Sequence, residues 1–190
     1  MYNRSVKLLR PILFLLPFTV GCATHSVSDA DRFWSELQSL CGQAYEGRVV
    51  EGTEPSDAAF AEETLVMHVD RCTADEIRIP FHVGANRSRT WVLTRTEAGL
   101  RLKHDHRHED GSEDEVTQYG GDSAGMAGPL TAEFPADSWT AGLIPAAATN
   151  VWTMAIDSGR TFTYALRRAD RRFRVEFDLA RPVKAPPPPW

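Results

Sequence analysis

Arg172-Phe173-Arg174-Val175-Glu176-Phe177-Asp178-Leu179 puts Phe173, Val175, Phe177 and Leu179 on one side of an extended chain, and Arg174, Glu176 and Asp178 on the other. Ile77, Ile79, Phe81 and Val83 oppose Arg78, Pro80 and His82 in the same way. One dry face and one wet face per strand is the mark of an antiparallel sheet. Working outward, the period of two predicts strands over 45–51, 64–70, 77–83, 89–96, 100–109, 116–119, 130–134, 151–157, 160–168 and 172–179. The separators Glu97-Ala98-Gly99, Glu109-Asp110-Gly111-Ser112, Asp157-Ser158-Gly159 and Ala169-Asp170 have hairpin lengths. About ten short strands without helical crossovers predict an all-β protein. A closed up-and-down antiparallel barrel is favoured, because closure removes exposed edges; a β-sandwich is the alternative.

Upstream of the strands the period is helical. Ser28 caps, Asp29 and Asp31 sit at the positive end, and Phe33, Trp34, Leu37, Leu40 and Cys41 share one face before Gly42. A short helix, then Tyr45-Glu46-Gly47-Arg48-Val49, then a meander resembles the calycin group (lipocalins, fatty-acid-binding proteins and relatives), which implies a calycin-like barrel of about ten strands. Residues 120–128 form a glycine-rich loop, and 137–150 are less regular, with room for one helical turn before Pro145. The tail 181–190, with Pro186 to Pro189 in succession, is expected to be extended and mobile.

The 190 residues are 25% charged and 42% hydrophobic, the balance of one globular domain. Arg4, Lys7 and Arg10 precede the apolar run 11–20, which is about half the ~20 residues a membrane span requires. Thr19-Val20-Gly21-Cys22 resembles the lipobox of bacterial lipoproteins, with threonine where leucine is usual. The resemblance implies a signal peptide over 1–21 and acylation of Cys22, which would hold the protein to the membrane through its acyl chains. It also implies a tether over 22–28, one domain over 29–180 and a Pro-rich tail over 181–190. Ala23, in place of the aspartate that favours inner-membrane retention, points to the outer membrane, on its periplasmic or outer face. Cys41 and Cys72 then remain as an even pair in an oxidising compartment and are expected to form a disulfide. Loss of the three leader cations takes the formal charge from −5 to −8, with two lysines left. That acidity excludes binding to a nucleic-acid backbone.

Lys103-His104-Asp105-His106-Arg107-His108-Glu109-Asp110 is the local sequence that suggests chemistry. Parity aligns His104, His106 and His108 with Leu100 and Leu102 on the dry face, and Arg101, Lys103, Asp105, Arg107 and Glu109 on the other. Neutral imidazoles suit zinc or copper. Neighbours in a His-x-His pair stand about 6–7 Å apart and the outer two about 13 Å, so two of the three plus a donor from another strand would be needed. His68 and His82 are the histidine donors at hand, each on its strand's polar face. The residues 100–111, 119–121, 134–137 and 143–147 resemble a family of uncharacterised bacterial secreted or lipid-anchored proteins. That resemblance spans most of 33–179 and implies export and a single domain, without an activity.

The reading is a lipid-anchored envelope barrel that binds a small ligand or a transition metal near His104, His106 and His108. The alternatives are a metal-dependent hydrolase using Asp105 or Glu109, and a structural envelope lipoprotein with a solid interior. Gly121-Asp122-Ser123-Ala124-Gly125 matches a nucleophile elbow, but Gly128-Pro129 prevents the helix that an elbow requires. Asp110, Ser112 and Asp114 begin like a calcium loop, yet Glu115 and Gly121 stand where glycine and glutamate are needed. Arg167, Arg168, Arg171, Arg172 and Arg174 read as a solvated basic hairpin, and Trp34, Trp91, Trp139 and Trp152 as core aromatics.

Overall fold

The computed structural model describes residues 28–123 and 125–190; the signal peptide expected over 1–21 and Cys22 lie outside the described residues. Helix α1 (Asp29–Ser39) opens the fold, with the Ser28 hydroxyl accepting from the Asp31 N–H at 3.1 Å. Strand β1 (Ala44–Gly52) is followed by the helix α2 (Pro55–Ala61) and by β2 (Leu65–His68) and β3 (Arg71–Cys72). Then come the meander β4 (Glu76–Val83), β5 (Asn86–Thr96) and β6 (Gly99–His106), and the short strands β7 (Tyr119–Asp122), β8 (Met126–Gly128) and β9 (Thr131–Pro135). Helix α3 (Ser138–Leu143) and a 3-10 turn (Pro145–Ala147) lead into β10 (Val151–Asp157), β11 (Thr161–Arg168) and β12 (Arg171–Val183).

All strand pairs are antiparallel, in the order β7-β6-β5-β4-β2-β1-β12-β11-β10-β9-β8, with β3 on β4. The fold is all-β, as alternation requires, and the sheet curls around one apolar core. Phe33, Trp91, Phe134, Trp152, Phe162 and Phe177 are all buried in it. The strand ladder ends at β7 and β8 rather than closing. Across that seam Asp137 N–H donates to Gly120 C=O at 2.9 Å, and Thr140 Oγ1 accepts from Gly120 N–H at 2.7 Å. The backbones meet so closely that a Cβ on Gly121 would lie 1.8 Å from Pro135 O, so only glycine fits there.

The two ends differ. At the Thr96–Gly99 end, α1 buries Phe33, Trp34 and Leu37, Arg95 pairs with Asp31, and Cys41 is disulfide-bonded to Cys72. On the chain-entropy account, closing that 31-residue separation contributes about 3–4 kcal/mol. At the other end α2 is tied down by Arg171–Asp57 (2.6 Å) and Arg168–Glu54 (3.0 Å), and Phe60 packs edge-on to Phe173, 5.2 Å between centroids.

Several local expectations change. The strand expected over 116–119 is instead irregular chain leading into β7, and α2, β3 and β8 are additions. Trp139 is 59% exposed, because the short helix α3 rides on the rim. The tail is extended but pinned. β12 runs through Val183, Arg87 Nη1 donates to Pro188 O at 2.8 Å, and the Arg87 guanidinium lies 5.8 Å from the Trp190 ring centroid. Of the five arginines of the hairpin, Arg167 is paired with Glu133, Arg168 with Glu54 and Asp170, Arg171 with Asp57, and Arg174 with Glu176, while Arg172 donates to the backbone oxygen of Arg171 at 2.9 Å.

Candidate functional site: the Arg89 end of the barrel

β6 carries two histidines inward, not three. Leu100, Leu102 and His104 are buried and His106 is half-buried, but the strand stops there and His108 is exposed. The chain folds back early because Asp110 Oδ1 takes both the N–H (2.9 Å) and the hydroxyl (2.6 Å) of Ser112, while Gly111 adopts a φ of 84°. His108 N–H then donates to Ser112 O at 2.9 Å. His108 therefore leaves the candidate set: the expectation of a three-residue ladder extended the strand through a turn sequence.

His104 is 3% exposed and fully engaged. Its Nδ1 lies 3.1 Å from Tyr119 O and its Nε2 lies 2.8 Å from Tyr164 Oη. A carbonyl only accepts, so Nδ1 bears the proton and Nε2 accepts from the Tyr164 hydroxyl. The ring stacks on Tyr119, 4.5 Å between centroids and 9° between planes, and Trp152 lies 5.1 Å away. Burial pushes the imidazole pKa down to about 3. His106 is lowered to about 4, first by burial and then by the nearby Arg89, and its Nε2 lies 3.1 Å from Tyr119 Oη. Burial likewise raises Tyr119 to about 12 and Tyr164 well above the ordinary phenol value. At neutral pH all four groups are uncharged.

Arg89 is the charge among them. It pairs with His106 across the β5–β6 ladder and shares the inward face with Trp91 and Leu93. Its Nη1 donates to Asn86 Oδ1 at 3.1 Å and its guanidinium lies 5.5 Å from the Phe60 ring centroid. Burial lowers its pKa from the usual guanidinium value, opposed by Tyr119 and Tyr164. Among the described residues no carboxylate lies within 4.0 Å of it. A half-buried cation without a counter-ion is energetically costly in a folding unit.

The metal donors do not assemble. Among the described residues no group of three or more His, Cys, Asp and Glu gathers as a metal site. His104 Nε2 is occupied by Tyr164, and His68 and His82 lie on the outer face, with His68 Nδ1 3.9 Å from Asp70. Asp105 is also on the outer face. It is held by Arg78, by Arg107 Nε at 3.1 Å and by Gln118 Nε2 at 3.3 Å. Glu109 is exposed in the turn after β6. Ser123 Oγ donates to Gly125 O at 2.5 Å, a loop contact rather than an activated nucleophile.

The sequence reading missed Arg89, Tyr119 and Tyr164. The signal was there: Arg89 has the parity of Trp91 and Leu93, and Tyr164 that of Phe162. In the comparisons with protein-family models, curated proteins and solved structures, the chain matches none of them.

Proposed function

We propose that this protein is a lipid-anchored, envelope-facing β-barrel that binds a small anionic molecule with an apolar or aromatic body. The anionic group would sit on Arg89 at the end of the barrel capped by α2. The observation that carries this reading is the half-buried Arg89 guanidinium, which no carboxylate among the described residues neutralises and which borders His106 and Tyr119. A bound anion would supply the missing charge, and the neutral imidazole and phenol offer hydrogen bonds that fix its orientation. The address rests on the basic n-region, the apolar run and Cys22, and it is supported by a Cys41–Cys72 disulfide, a bond that persists outside reducing compartments.

The test uses 1-anilinonaphthalene-8-sulfonate, an anionic aromatic probe. Wild type is expected to bind it saturably at one site, and Arg89→Met to weaken binding about tenfold with its unfolding midpoint retained, the loss of one charge-assisted contact. Equal affinity in both proteins would reject the reading and favour a structural envelope protein, for which the densely filled interior around Trp91, Trp152 and Phe162 speaks. Cys22→Ser is expected to move the protein from the membrane to the soluble fraction; continued membrane association would reject the anchor.

A further inference from the structure

The outer face of β2 and β4 carries a second feature, remote in kind from the aromatic interior. His82, paired with Val66 across the two strands, is 4% exposed although its side chain faces outward. The chain's own tail lies beside it: Pro186 and Pro187, with Val66, His82, Ala85 and Arg87, line a cleft of about 340 Å3. That volume lies at the small end of ligand sites. His82 Nε2 is buried and has no hydrogen-bond partner among the described residues, an arrangement native proteins avoid unless something else satisfies the atom. Beside it Arg87 uses Nη1 on Pro188 O and its face on Trp190, and among the described residues no carboxylate lies within 4.0 Å of its guanidinium.

We infer that the cleft beneath the polyproline strap is a binding site for a small monocarboxylate with an apolar body. The carboxylate would face the Arg87 charge and, with a small outward shift of the strap, accept a hydrogen bond from the covered His82 Nε2–H, while its apolar part lies against Val66, Ala85 and the two prolines. His82 serves as a neutral donor, since burial, His68 and Arg87 all lower its pKa. The Glu63 carboxylate lies against Gly84, which lines the cleft; it opposes any negative charge there, so the Arg87 charge must outweigh it. The strap is a wall of the site, so Trp190, which clamps Arg87, positions it.

The test uses sodium benzoate and its neutral analogue benzamide on the purified full chain. Binding is read by calorimetry and by the 15N resonances of the His82 imidazole. Benzoate is expected to bind one site and shift His82 Nε2, with benzamide weaker by about tenfold. Arg87→Met and Trp190→Ala are each expected to weaken benzoate about tenfold, whereas Arg89→Met leaves it unchanged. The inference is overturned if benzamide matches benzoate, if the Arg87 variant binds like wild type, or if benzoate leaves the His82 resonances unmoved. The Arg87 and Trp190 side chains both lie outside the core, so these variants decide the question without disturbing it. A benzoate response abolished by Arg89→Met would assign the anion to the barrel end instead. Loss of the sulfonate probe at Arg89 with benzoate binding intact would separate the two sites.

Discussion

Asp105 and Arg89 are neighbours on the β5–β6 ribbon, one pair apart in register, yet they face opposite sides of the sheet and meet opposite fates. Asp105 on the outside is 3% exposed and surrounded by Arg78, Arg107 and Gln118, so its charge is matched and its lone pairs are used. Arg89 on the inside has one amide oxygen, one aromatic face and no carboxylate. A matched buried charge is part of the scaffold. An unmatched one, bordered by neutral hydrogen-bonding groups, is where an external anion lowers the free energy of the protein. The lesson is that burial alone does not mark a site; the state of pairing does.

The largest expected effect tests the claim that the interior is neutral. His104 and His106 have folded pKa values of about 3 and about 4, below the unfolded value near 6.5. The unfolded chain therefore binds more protons in that interval, and stability falls as pH drops below about 6.5. Each ring contributes about 1.4 kcal/mol per pH unit down to its folded pKa. Denaturant unfolding between pH 6.5 and 4.5, above the ordinary carboxylate range, is expected to show this slope, to which His82, also lowered by burial, adds, and His106→Gln is expected to make it shallower. A flat profile would mean that the imidazoles are not buried as neutral rings.

Next in size is Asp105→Ala, which removes the buried carboxylate that Arg78 and Arg107 share, leaves them only the more exposed Glu76 and Glu113, and should cost about 3 kcal/mol in chemical unfolding. Tyr164→Phe removes the donor to His104 Nε2 and leaves a buried acceptor unsatisfied, for about 2 kcal/mol. Arg89→Met sharpens the contrast with Asp105. With no carboxylate to strand, its stability should stay within about 1 kcal/mol of wild type or rise, while the sulfonate probe binds about tenfold more weakly. A destabilisation as large as that of Asp105→Ala would show that Arg89 is structural after all. Smallest is His108→Ala, exposed in a turn, expected within about 0.5 kcal/mol by the same measurement.

Much of the fold was legible because alternation is a local property of an extended chain. Phe173 to Leu179 and Ile77 to Phe81 point inward as their parity demands, and Leu100, Leu102 and His104 follow the same rule. The turn at Asp110-Gly111-Ser112 was equally visible in the sequence, and weighing it against the strand pattern would have removed His108 from the inward set. The helix α2 was hidden, since Pro55 to Ala61 spans too few residues for its period to stand out. The pinned tail was hidden for another reason: a polyproline segment shows no periodicity that would reveal what it lies against.

By itself, then, the sequence determined which side chains of each strand share a face, where the hairpins turn, and which two cysteines among the described residues were left to pair. Tertiary structure alone decided that Asp105 would meet Arg78 from β4, that Arg89 would meet no acid among the described residues, and that Pro186 and Pro187 would line a cleft with His82. The division has one physical cause. Facing is set by the backbone dihedrals of a few adjacent residues, whereas charge pairing and coverage depend on which distant segments the curl of the sheet brings alongside.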